Sequence, residues 1–164
     1  MILVALGANL DHPRYGPPRE TLEAALEALQ QSGVTILARS RWYRSAPVPP
    51  SDQPWFVNAV ASVETGLSPV GLLATLHEIE ASFGRARRRP NEVRVLDLDL
   101  LAYHDRVSAP GQSPVLPHPR LAERAFVVLP LAEMAPEWRH PESGSSAAEL
   151  AGRLDPADTA EPFD

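Results

Sequence analysis

The sequence predicts an α+β protein, an antiparallel sheet with helices on one face and a C-terminal extension. Two observations carry this. Segments of period-two and helical periodicity follow one another as strand, helix, strand, strand, helix, strand, and each join carries a turn or cap signal. The length, 164 residues with 44% apolar content, suits one substantial core. One domain over 1–164 is therefore expected, with 156–164 acidic, proline-containing and frayed.

Ile2 to Leu6 reads as a first, central strand ended by Gly7-Ala8-Asn9, and residues 11–19 as a proline-rich loop. Thr21 to Gln31 is helical: Leu22, Ala25, Leu26 and Leu29 share a face, and Ser32-Gly33 stops it. Val34 to Tyr43 reads as one strand. Ser45 to Pro54 carries four prolines and is excluded from a sheet interior. Trp55 to Glu64 alternates between an apolar face (Trp55, Val57, Ala59, Ala61, Val63) and a mixed one (Phe56, Asn58, Val60, Ser62). Ser68-Pro69 is a cap followed by a first-turn proline, opening a helix with the stripe Leu72, Leu73, Leu76, Ile79 and Phe83, closed by Gly84.

Val95 to Leu101 reads as the next strand, with Leu96, Leu98 and Leu100 inward and Asp97 and Asp99 together on the other face. A turn region follows at 103–114. Pro117-His118-Pro119-Arg120 opens a helical segment with Leu121, Ala125, Val128 and Leu131 available for packing, and Ser146 to Glu149 has capping-box spacing for a short last helix. This order is the ferredoxin-like arrangement. Its second face is left for a site.

Composition excludes several chemistries. All 15 basic residues are arginine, so lysine nucleophiles, Schiff bases and a Walker-type lysine are ruled out. Without cysteine there are no disulfides, thiolate metal sites or cysteine catalysis. The net charge of −6 argues against general nucleic-acid or acidic-membrane binding. No apolar run reaches membrane-spanning length, and Met1 to Leu6 is too short for a signal peptide, so a cytoplasmic protein is expected.

Against that acidic background, Arg85, Arg87, Arg88, Arg89 and Arg94 cluster just before Asp97-Leu98-Asp99. Two aspartates whose Cα atoms lie about 6.6 Å apart on one strand face can share a small cation or bracket two. Adjacent arginines suit an anionic substrate whose charge is divided between guanidinium groups and metal. The plain alternative is a wet edge strand beside a solvated arginine loop. His118, between two prolines, suits either a phosphate contact or a structural loop hydrogen bond. His77 and Glu80 lie in the second helix, where packing and a salt bridge compete with alignment of an arginine. Phe56 and Phe126, with Asn58 between them in character, suit a flat, hydrogen-bonding heterocycle, although either ring alone reads as core.

In this order the segments Ala5 to Leu10, Tyr43-Arg44-Ser45, Asp52 to Ala59, Glu78-Ile79-Glu80, Gly84 to Arg87, Arg94 to Asp99, and Pro117 to Arg120 with Arg124-Ala125-Phe126 resemble the 6-hydroxymethyl-7,8-dihydropterin pyrophosphokinase family over residues 2–135. The resemblance implies transfer of the terminal diphosphate of ATP to the pterin's hydroxymethyl group, leaving AMP, in folate biosynthesis. It implies that Asp97 and Asp99 ligate two Mg²⁺ ions. Arg85, Arg94, His118 and Arg124 resemble nucleotide and phosphate contacts, with Arg87 on a mobile loop, and Arg85 and Arg94 would act in catalysis with the two aspartates. Phe56 and Phe126 resemble rings that sandwich the pterin. Asn58, the backbone around Ser45 and Val48, and Glu80 resemble the groups that bind or orient its polar edge. The partners implied are ATP and a reduced pterin, with no nucleic acid and no membrane, for a monomer.

Three departures stand out. Family members commonly carry an arginine-tryptophan-glycine-proline-arginine run, whereas Arg89 to Arg94 is one residue shorter and lacks the tryptophan, leaving Arg88 and Arg89 unassigned. Phe56 stands where tyrosine is frequent, and Pro119 where tyrosine often follows the histidine. The rival readings are a metal-dependent nucleotide hydrolase, with water as acceptor, and a nucleic-acid or regulatory ligand module built on the open sheet face.

Overall fold

A computed structural model describes residues 1–47, 49–84 and 95–163. Among them the chain forms β1 (Ile2–Ala8), α1 (Pro18–Gln31), β2 (Val34–Arg39), β3 (Trp42–Ser45), β4 (Phe56–Thr65), α2 (Pro69–Ser82), β5 (Asp97–Tyr103), a 3₁₀ turn (Leu121–Glu123), α3 (Ala125–Met134), α4 (Ala147–Gly152) and β6 (Glu161–Phe163). The sheet runs β5-β1-β4-β3-β6, with β2 also paired to β4. Every pairing is antiparallel. β1 therefore sits between the two strands joined by α2, and β4 between the two joined by α1, which is the expected ferredoxin-like interleaving.

The first core lies between one sheet face and helices α1 and α2. Ile2, Val4, Leu6, Ala59, Ala61, Val63, Leu96, Leu98 and Leu100 meet Leu22, Ala25, Leu29, Leu72, Leu76, Ile79 and Phe83. These are the alternating strand positions and helical stripes read from the sequence, except Trp55, which precedes β4 and is exposed. α2 starts as expected: the Ser68 hydroxyl accepts the Gly71 N–H at 3.1 Å and Pro69 occupies the first turn. It ends at Gly84, whose φ of +97° belongs to the left-handed region that glycine tolerates.

The C-terminal extension packs on the second face. Leu3, Ala5, Val60, Leu101 and Ala102 meet Leu121, Val127, Val128, Leu131, Ala147 and Leu150. The last helix has the full capping box: Ser146 accepts from Glu149 N–H and the Glu149 carboxylate accepts from Ser146 N–H. Part of the face expected to be open is thus covered, and Gly7, Asn58, Asp97 and Asp99 lie on the remainder.

Two expectations need correction. The single strand Val34 to Tyr43 is broken at Ser40-Arg41. There the Ser40 hydroxyl, rather than a main-chain carbonyl, accepts the Val60 N–H at 3.1 Å, while Ser40 N–H donates to the Val60 carbonyl at 2.9 Å. This local substitution lets the strand bend, and pairing resumes as β3, which runs on through Ser45. The tail 156–164 does not simply fray. Residues 161–163 pair with β3 (Trp42↔Phe163, Tyr43↔Pro162, Arg44↔Glu161), because the outer edge of β3 offers unpaired main-chain groups and Phe163 packs on the first core. The expected strand limits also shift: β1 runs to Ala8, since Gly7 and Ala8 keep partners in β4.

Candidate active site

β1 lies between β4 and β5, and its register aligns two rows across the second face. One row reads Asp97, Gly7, Asn58, Tyr43; the other reads Asp99, Ala5, Val60. Ala5 and Val60 belong to the second core, so by alternation Gly7, Asn58, Asp97 and Asp99 continue that face. Both aspartates are half-exposed, while Leu98 between them is buried on the opposite side.

Glu80 explains how this short strand is held. Its carboxylate is completely buried and accepts the Leu98 N–H at 2.9 Å. Leu98 therefore turns its main chain away from β1, so by the antiparallel pattern it is Asp97 and Asp99 whose main chains face β1. Glu80, grouped by resemblance with the substrate contacts, is found on the backbone of the strand that bears the two aspartates.

His118 and Arg124 stand over this pair. His118 N–H donates to the Leu101 carbonyl at 2.8 Å, and the ring Nδ1 accepts the Arg120 N–H at 3.2 Å. An accepting Nδ1 places the proton of the neutral ring on Nε2, which is then a donor. Burial pushes the His118 pKa below the ordinary imidazole value; Asp99 opposes that, while Arg124 and Arg120 reinforce it. Burial likewise lowers the Arg124 pKa, with Arg120 acting in the same direction and Asp99 and Asp97 opposing it. The guanidinium lies 5.5 Å from the centre of the Phe126 ring. Electrostatics thus links Arg120, Arg124, His118 and both aspartates into one cluster. Arg120 had no assigned part in the sequence reading, and its place in Pro117 to Arg120 was the available signal.

On the other side of Gly7, the Asn58 amide donates to the Ser45 hydroxyl at 2.8 Å, and both residues are buried. Phe56 opens β4 and Phe126 is the second residue of α3; both are half-buried. The role of Gly7 is spatial, which the sequence did not suggest. A Cβ there would lie 2.8 Å from Asn58 Oδ1. Gly7→Ala is therefore expected to push the Asn58 amide out of its bond to Ser45 and to lower stability by about 1–3 kcal/mol, the cost of an unsatisfied buried group. Thermal melts check this, and an unchanged melting temperature would show that the amide does not need the space kept by Gly7. The buried Asn9 side chain donates to Gln53 Oε1 at 3.0 Å and to the Pro54 carbonyl at 3.1 Å, tying the loop that precedes β4 to the end of β1.

Arg85, Arg87, Arg88, Arg89, Arg94 and Val48 lie outside the described residues. Among the described residues, no group of three or more His, Cys, Asp or Glu forms a closed metal cage. Two carboxylates on an accessible strand face fit Mg²⁺, which typically takes one or two carboxylates and completes its shell with water and substrate phosphates. Nothing softer than oxygen and one imidazole is present, so the donor set does not favour thiophilic metals. No helix among the described residues is long and apolar enough to cross a membrane.

The chain is 39% identical over 155 residues to the 2-amino-4-hydroxy-6-hydroxymethyldihydropteridine pyrophosphokinase of Methylorubrum extorquens, covering 94% of this chain and 93% of that one. It is 42% identical over 142 residues to the Pseudomonas aeruginosa protein of the same name, covering 86% and 84%. Its fold matches the crystal structure of wild-type Plasmodium falciparum HPPK-DHPS with pteroate at a TM-score of 0.72 and 13% identity, over 93% of this chain and 44% of that longer one. Residues 3–136 match the sequence model of the family described as 7,8-dihydro-6-hydroxymethylpterin-pyrophosphokinase (HPPK), and the chain belongs to that family.

Proposed function

We propose that the protein transfers diphosphate from ATP to the hydroxymethyl group of 6-hydroxymethyl-7,8-dihydropterin, releasing AMP, as a step of folate biosynthesis. Family membership supports the activity. The observation that carries the site assignment is the row from Asp97 through Gly7 to Asn58. With the neighbouring row through Asp99, it brings both carboxylates to the sheet face that carries the Asn58 amide, and by alternation Phe56 lies on that face too.

In this reading the pterin stacks between Phe56 and Phe126, with its polar edge on Asn58 and on the backbone around Ser45 and Val48. Aromatic faces suit a flat heterocycle, and a buried amide rejects ligands that leave it unpaired. ATP lies with its phosphates toward Arg124 and His118, whose Nε2–H donates to a phosphate oxygen. Arg85, Arg87 and Arg94 complete the phosphate contacts on the strength of the resemblance. Asp97 and Asp99 would hold two Mg²⁺ ions, which when bound neutralise phosphate charge and favour the ionised form of the acceptor hydroxyl. The pterin hydroxymethyl oxygen, giving its proton to solvent water, attacks the β-phosphorus in line. The new O–Pβ bond forms as the bond from Pβ to the α–β bridging oxygen breaks, and that oxygen leaves with AMP. Such transfer depends on positioning and electrostatic stabilisation rather than on a side-chain nucleophile, so arginines and a donor imidazole suffice. Glu80 acts at one remove, by fixing the strand that carries the aspartates. The enzyme works as a monomer, without nucleic acid or membrane.

The test is the pterin dependence of AMP formation with MgATP. AMP that appears only when the reduced pterin is added is the expected result. AMP released equally without pterin would make the protein a nucleotide hydrolase, and RNA or DNA binding without Mg²⁺-dependent ATP binding would make it a binding module.

A further inference from the structure

The C-terminal tail lies outside residues 3–136, the stretch matched to the family, yet it joins the two sides of the site. The helix α3 begins with an uncapped N-terminus: Arg124 in the cap position makes no side-chain cap hydrogen bond. The first helical N–H, that of Ala125, is satisfied from 33 residues away, by Asp158 Oδ2 at 3.0 Å. Ala125 stands between Arg124, whose charge is felt by the two aspartates, and Phe126, the ring assigned above to the pterin.

Asp158 is itself held. Asp155 forms a turn in which its side chain accepts the Ala157 N–H and its carbonyl accepts the Asp158 N–H, both at 2.9 Å. Two residues further on, Ala160 is buried in a small cluster with Tyr43 and Ala125, against which Phe126 packs. The chain then pairs with β3 as β6, and β3 pairs with β4 at Ser45↔Phe56 and Tyr43↔Asn58. One short segment is therefore bonded to the start of α3 at one end and to the strand beside Phe56 and Asn58 at the other. A heterocycle between two rings needs a gap of about 7 Å, two stacking distances, and a gap about 0.5–1 Å too wide forfeits roughly a quarter to a half of the contact.

We propose that Asp158 is a positioning residue for diphosphate transfer: it caps α3 from the tail and so sets Arg124 and Phe126 at the distance from Phe56 and Asn58 that a bound pterin requires. This rests on the function proposed above.

The experiment uses the full chain and measures KM for the reduced pterin, kcat and melting temperature for Asp158→Ala, Asp158→Asn and Asp155→Ala. Asp158→Ala raises the pterin KM about tenfold, as loss of roughly one hydrogen bond predicts. Asp158→Asn keeps an acceptor oxygen suited to a helix cap and returns KM to within about twofold of the parent. Asp155→Ala loosens the turn and falls between them, and it decides the matter if Asp158→Ala does not fold. An unchanged pterin KM in the alanine variants, with only the melting temperature lowered, overturns the positioning role, as does an asparagine variant no better than alanine. A parent enzyme making no pterin-dependent AMP overturns the function itself, an outcome distinct from these.

Discussion

Replacing Asp97 and Asp99 together with alanine lowers pterin-dependent AMP formation by at least about a thousandfold and leaves the fold intact. The size follows from the several kcal/mol of charge stabilisation that bound metal supplies to phosphoryl transfer, at about 1.4 kcal/mol per tenfold in rate. Folding should survive because β5 is anchored by its other residues. Leu96, Leu98 and Leu100 are buried in the first core, and Leu98 N–H is held by Glu80. The aspartates contribute their main chains to the ladder, which alanine preserves. Circular dichroism and thermal melting establish the folded state, and turnover is then measured at saturating MgATP. A folded double variant with ordinary turnover would show that the carboxylates are not the metal ligands.

Glu80→Ala gives the second large effect, and here stability and rate fall together. The side chain is completely buried and satisfies the Leu98 N–H, so its removal strands a buried donor and is expected to cost roughly 1–3 kcal/mol, with more if the carboxylate is charged. Urea unfolding should show a lower midpoint with an unchanged slope. Because Asp97 and Asp99 flank Leu98, loss of the anchor also misplaces them, and turnover is expected to drop roughly 10- to 100-fold. Glu80→Gln retains an acceptor and should fall between the parent and alanine. A Glu80→Ala enzyme as stable and as active as the parent would show that the carboxylate does not hold this strand.

How far the sequence foretold this depends on whether the signal was local. α2 was legible because a capping serine, a first-turn proline and a terminal glycine bracket a regular apolar stripe, all within 17 residues. The faces of β4 and β5 were legible by simple alternation, which put Asp97, Asp99, Phe56 and Asn58 on the correct side. The break at Ser40 was hidden because a hydroxyl replaces a carbonyl only when β4 is already alongside. β6 was hidden for a similar reason. Glu161-Pro162-Phe163 has little strand propensity of its own, and pairing comes from an edge supplied by residues 42–44. Within the site, residue types and their order were readable, but not the tasks of Gly7 and Glu80. One is a gap kept for a neighbour and the other a bond to a backbone 18 residues on, so neither leaves a mark in local composition.

The buried carboxylate of Glu80 also bears on how the protein behaves when crowded. A sheet edge with free main-chain donors invites another chain to add a strand, the usual route to aggregation. On the outer side of β5 the Leu98 donor is already taken by the Glu80 carboxyl group. Beyond β3 the last strand is three residues long with Pro162 at its centre, which has no N–H to offer. At these two edges, the contacts that hold the site's strands also deny an incoming chain its first rungs, so the Glu80→Ala enzyme should lose solubility before it loses its helices.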